Sequence, residues 1–262
     1  MSPRRPAAHA VAACLALAAC GGMPRVAPLP IPTAPADGDA PRAATTAAAT
    51  AVATAVPLPA ADTAYLARLR DAYRLDSVVA GATTDLERVR RLSRWVRTRW
   101  EHNGSNEPTR PDPLAILAEA RTGKRFRCVE YAEVLAASLS AVGVPARVLG
   151  LQRADVETAR SGAGHVVAEA WLADRRRWVL VDGQWDVIPF RGDAPLDAVQ
   201  LQRAIAERAP DLRVESLSGT GTARWARWIA PYLHFFLTGP RAWTTGAPAG
   251  TPRVMLVPVG AT

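Results

Sequence analysis

Apolar side chains recur at helical spacing from Asp62 onward. In a first segment Leu66, Leu69 and Tyr73 share a face. In a second, Leu86, Val89, Leu92, Val96 and Trp100 lie on one side and Arg90, Arg91, Arg94 and Arg97 largely on the other, the pattern of a helix packed on a core. Thr84-x-x-Glu87 has the form of a capping box: the hydroxyl accepts from the third helical N–H and the carboxylate reaches back, so this helix is predicted to start at Thr84. Asp112-Pro113 joins an N-cap acceptor to a residue whose missing N–H is harmless in a first turn, which predicts a short helix ending near Ala120. The next helix is expected to begin at about Cys128 and run to Val142, where Gly143 supplies a stop and Pro145 bars continuation.

After Pro145 the period changes. Three β-rich runs cover 146–151, 165–172 and 177–182. Helices followed by antiparallel strands indicate an α+β fold, with helices, one of them headed by Cys128, packed on an antiparallel sheet. Farther on, a helix is expected near 196–209. The aromatic cluster Trp225, Trp228, Tyr232, Phe235 and Phe236 and the apolar stretch 254–259 read as core or lid.

The start of the chain has another character. Arg4 and Arg5 precede an apolar run over 10–19 that is too short to span a bilayer, which reads as an export signal over 1–19. The run ends in Leu17-Ala18-Ala19-Cys20-Gly21, which resembles a bacterial lipobox. Cys20 is therefore the expected lipidation site and membrane anchor, and Gly21 in place of Asp points to the outer membrane of a diderm host. Residues 20–60 are dominated by Ala, Pro and Thr and bury too little to offset their ordering entropy, so they are read as a tether. One domain over 61–262 is expected, with a core at 86–190 and a C-terminal extension at 191–262.

Composition sharpens the chemistry. Of three cysteines, Cys14 leaves with the signal and Cys20 is acylated, so Cys128 is the one free thiol of the folded part. The formal charge of +8 is carried almost wholly by arginine, Lys124 being the sole lysine, and is scattered along helices without interleaved stacking aromatics. A solvated basic surface is expected, and no nucleic-acid partner.

A cysteine nucleophile acts as its thiolate, and a helix N-terminus favours negative charge at its unpaired N–H groups. Lys124, Arg125 and Arg127 are expected to add to that effect. The thiolate needs an imidazole beside it, to hold an ion pair and then to protonate a leaving amine. His165 opens a strand, whereas His102 and His234 lie in contexts that present no strand edge to the helix. A two-residue loop, Ala173-Asp174, sets His165 opposite Asp182, and a four-residue loop leaves them diagonal neighbours on one face, so Asp182 is able to orient the ring in either case. Gln184, Asp186 and Glu169 are given structural roles. No pair such as CxxC or HxxxH accompanies these residues, so neither a metal nor a cofactor is expected.

The stretches GKRFRCVEYAEVLAASLSAVGVPARVLGL, GHVVAEAWL and RRWVLVDGQWD resemble the core of the transglutaminase-like superfamily over roughly 86–189. The resemblance implies a papain-like α+β fold and a Cys128-His165-Asp182 triad performing acyl transfer on peptide or protein amides through a thioester, with hydrolysis as the expected outcome. It also implies an oxyanion donor upstream of the cysteine, for which Trp100 is the candidate, with His102 and Asn103 nearby. Two alternatives stand beside hydrolysis: a protein-crosslinking transglutaminase, and a non-catalytic envelope lipoprotein that grips a ligand in the same cleft.

Overall fold

The computed structural model describes residues 60–238 and 254–256. The signal, Cys20, the tether up to residue 59 and the apolar residues 257–259 lie outside the described residues.

Five helices come first: α1 (Ala60–Ala72), α2 (Leu75–Val79), α3 (Asp85–Arg97), α4 (Pro113–Ala120) and α5 (Cys128–Ala141). Their starts follow from local chemistry. Thr84 and Glu87 close the capping box of α3, with Glu87 N–H on Thr84 Oγ1 at 3.2 Å. Asp112 Oδ1 caps α4 by accepting from Ala115 N–H at 3.1 Å. At the end of α5 Gly143 takes φ +84°, a left-handed conformation that suits a residue without Cβ. Trp100 lies beyond the end of α3, not on it, yet is buried in the same core.

The strands are β1 (Ala146–Gln152), β2 (Gly164–Leu172), β3 (Arg177–Val181), β4 (Ile188–Arg191), β5 (Ala194–Pro195), β6 (Leu212–Glu215), β7 (Phe235–Thr238) and β8 (Val254–Leu256). Helix α6 (Ala198–Ala206) precedes β6, and α7 (Thr222–Ile229) with a 3-10 turn (Ala230–Tyr232) precedes β7. The predicted helix at 196–209 is thus shorter, because Asp197 caps it by accepting from Gln200 N–H at 2.7 Å. An antiparallel sheet runs in the order β3-β2-β1-β7-β8, and a smaller one in the order β5-β4-β6.

Period-2 alternation gives the large sheet two different faces. Ala146, Ala168, Ala170, Leu172, Val179 and Val181 join one core with α1, α3 and α5. Leu149, Leu151, Val167 and Leu180 join a second core with α6 and α7. By the same alternation His165 shares the side of Val167, and Asp182 that of Leu180. The β2–β3 register pairs Leu172 with Arg177 and Ala168 with Val181, so the loop has four residues. Arg176 closes it at φ +51°. This corrects the two-residue alternative: Asp182 follows the last ladder pair and is a diagonal neighbour of His165.

Candidate active site

Cys128 is the first residue of α5, half-buried and free. Its N–H, like those of the rest of the first turn, has no carbonyl one turn earlier to bond, so donors cluster around the thiol. The flanking cations contribute less than their sequence positions imply. Lys124 is spent on Glu119 (2.6 Å), and Arg127 on the buried Glu130 (2.8 Å) and on Glu107. Glu130 also accepts from the backbone N–H of Arg127 at 3.0 Å, closing the turn that presents the thiol.

His165 and Asp182 are both buried, and His165 Nε2 lies 3.0 Å from Asp182 Oδ2. A carboxylate only accepts, so Nε2 carries the hydrogen and Nδ1 is left clear of Asp182, with the Cys128 thiol near enough to act on the ring. Burial is the largest influence on the imidazole and pulls its pKa down, but the charge and hydrogen bond of Asp182 and the contact with Cys128 outweigh it. The result is pushed up to about 9.

Asp182 is held by four donors. Oδ1 accepts from the backbone N–H groups of Gln184 (3.1 Å) and Trp185 (3.2 Å), and Oδ2 from His165 and from the indole N–H of Trp225 (3.1 Å). The next residue, Gly183, sits in tight packing. A Cβ on Gly183 would lie 3.3 Å from both Tyr131 O and Leu135 Cδ2, so the strand end runs flat against α5 just one turn beyond Cys128.

Trp100 is wedged against Phe126 (ring centroids 5.6 Å apart) and Tyr131 (4.6 Å), residues that bracket Cys128, and its carbonyl accepts from Tyr131 Oη at 2.7 Å. Its indole N–H is buried and has no partner among the described residues. His102 forms a parallel bridge with Phe126, two residues before the cysteine. Burial first, then the charge of His165, lowers the pKa of His102. Asn103 Oδ1 is occupied by a local turn, accepting from Ser105 and Asn106 N–H groups at 3.0 Å. Gln184 likewise serves the turn after Asp182. Asp186 is buried at φ +53° with Ser218 on its carboxylate (3.0 Å), and burial raises its pKa. Glu169 joins Arg147 (2.6 Å) to the N–H of Ala198 at the start of α6 (3.0 Å).

Sequence reasoning left the aromatic wall unassigned. Trp228 meets the His165 ring edge-on at 4.7 Å, Tyr232 lies 6.1 Å from it, and Trp185 packs on Trp228 at 5.0 Å. Trp225 and Trp228 stand three residues apart on α7, a spacing visible in the sequence. Only the pairing of β7 beside β1 brings that helix to His165.

Residues 73–183 match the model of the transglutaminase-like superfamily. No curated protein matches the sequence significantly. Among solved structures, a candidate cysteine protease of Cytophaga hutchinsonii overlaps at TM-score 0.37 and 13% identity, over 59% of this chain and 47% of that one. A candidate protease of Parabacteroides distasonis overlaps at 0.33 and 17% identity, over 62% and 31%, and a TGase at 0.31 and 14% identity, over 53% and 36%. The chain thus spans less than half the length of each.

Proposed function

We propose, from the match of residues 73–183 to the transglutaminase-like superfamily, that the protein is a cysteine-dependent acyl-transfer enzyme, most simply a hydrolase of peptide or protein amides. Cys128 is the nucleophile, His165 the proton carrier and Asp182 its orienting carboxylate. One observation carries this reading: a buried imidazole bonded at 3.0 Å to a buried carboxylate, with a free thiol at a helix N-terminus close enough to act on that ring.

The thiolate of Cys128 attacks the amide carbon, forming the C–S bond and an oxyanion. The Cys128 backbone N–H and the unpartnered indole N–H of Trp100 are the donors that receive that charge. The C–N bond then breaks as His165 gives its proton to the leaving nitrogen, and a thioester remains. Water enters, loses a proton to His165 and attacks the thioester carbon. The acid departs and the thiolate returns. An amine in place of water completes crosslinking through the same first half. Asp182 keeps the ring in the tautomer that both proton transfers need.

We also infer that the enzyme works outside the cytoplasm, anchored through Cys20 and held off the membrane by the tether. The lipobox-like run supports this, and loss of acyl-chain incorporation in Cys20→Ser tests it. For the reaction, the full chain is incubated with p-nitrophenyl acetate as a generic acyl donor and mapped by mass spectrometry. Acetyl transfer to Cys128, absent in Cys128→Ala and at least about a hundredfold slower in His165→Ala, is the expected result. Hydrolysis unchanged in Cys128→Ala overturns the assignment.

A further inference from the structure

We propose that Trp225 is a positioning residue for the His165–Asp182 pair, its indole N–H sharing the one carboxylate oxygen that the imidazole also uses. This rests on the functional reading above and extends it to a helix that lies outside residues 73–183.

The geometry leaves His165 a single seat. Both lone pairs of Oδ1 are taken by the Gln184 and Trp185 backbone N–H groups, and Oδ2 has two donors, His165 Nε2 at 3.0 Å and Trp225 Nε1 at 3.1 Å. Trp225 is fully buried in the core under α7, with Ile229 one turn on, so its ring has no freedom to follow the carboxylate if that moves. Three residues along the same helix, Trp228 meets the His165 ring at an interplanar angle of 81°. The helix therefore grips both members of the pair: one indole fixes which lone pair the imidazole takes, and the next fixes the plane of the imidazole.

The indole also sets the charge that the imidazole meets. Its N–H dipole points its positive end at Oδ2 and cancels part of the carboxylate field at His165. Without it the imidazolium is held more tightly, so the pKa of His165 rises further while the ring orientation loosens. The titratable groups facing His165 are Cys128 from α5, Asp182 after β3, His102 from the stretch after α3 and Tyr232 from the 3-10 turn. Each of them stays in place in a Trp225→Phe variant.

The test uses the full chain with ¹⁵N-labelled tryptophan indoles and ¹³C-labelled histidine rings, titrated by NMR. The Trp225 resonance, assigned sequentially on a uniformly labelled sample, is expected to lie downfield and to titrate with the His165 midpoint. Trp228, which touches the ring but not the carboxylate, is expected to move much less. In Trp225→Phe the His165 midpoint and the alkaline limb of Cys128 alkylation are expected to move up by about half a pH unit, a change that loss of packing alone does not produce. A Trp225 resonance that stays flat while His165 titrates overturns the proposal, and so does an unshifted midpoint in a folded Trp225→Phe. If that variant does not fold, the wild-type titration decides. Failure of the functional reading looks different: Cys128 would alkylate as an ordinary thiol, whatever the indole does.

Discussion

The two faces of the five-stranded sheet hold their parts of the site by different forces. On one face α5 lies on Ala146, Ala168 and Ala170, short side chains that let helix and sheet approach closely. On the other, Val167 and Leu180 continue into His165 and Asp182, which are fixed by hydrogen bonds and by the indoles of α7. Cys128 is thus placed mainly by the packing of helix on sheet, and His165 by a saturated polar network under aromatic cover. They meet only at the sheet's end, where Gly183 lets the strand run against Tyr131 and Leu135. Packing of the first kind degrades gradually when a methyl group is lost, whereas a buried network fails abruptly when one acceptor is removed.

The largest effect is expected on the polar face. Asp182→Ala strands His165, Trp225 and two backbone N–H groups at once and is expected to lose about 3–5 kcal/mol in denaturant unfolding at neutral pH. A loss below about 1 kcal/mol contradicts the network account.

Next in size is a pH effect. His165 has its folded pKa raised from 6.5 to about 9, so the protonated ring stabilises the fold. That contribution is fully present below pH 6.5 and is lost as pH rises through about 9. Its size is on the order of 3 kcal/mol. The stability gap between wild type and His165→Gln is therefore expected to close between those two pH values, and a gap that is constant with pH contradicts the assignment.

Smaller effects probe the aliphatic face and the junction. Gly183→Ala sets a Cβ 3.3 Å from Tyr131 O and is expected to cost about 1–3 kcal/mol by overpacking, and to slow Cys128 alkylation by parting thiol and imidazole. Tyr131→Phe removes only the hydrogen bond to Trp100 O, about 1 kcal/mol, and leaves the pH profile of alkylation where it was.

The helix headed by Cys128 and its N-terminus were legible in the sequence because their signals are local: Gly143 and Pro145 at one end, and Cys128 after a polar stretch at the other. The shared face of His165 and Asp182 was legible because strand alternation survives either loop length. The register itself was not, since Ala173-Asp174-Arg175-Arg176 contains no glycine or asparagine to mark the left-handed residue, and Arg176 takes that conformation instead. Pairing across the chain was equally hidden. Arg127 finds Glu107 twenty residues away, His102 bridges Phe126, and Trp225 reaches Asp182 only because β7 joins the sheet next to β1. Each needs the tertiary fold before its partner can be named.

The central claim is that Cys128 and His165 form an ion pair, and its most direct test is the pH dependence of Cys128 alkylation by iodoacetamide. The full chain is used with Cys14 and Cys20 replaced by serine, beside the same chain carrying His165→Ala. Rapid alkylation of Cys128 that is lost in His165→Ala is the predicted result. Alkylation that follows a simple thiol titration and ignores the His165 change contradicts it, and leaves the cleft a binding site without a nucleophile.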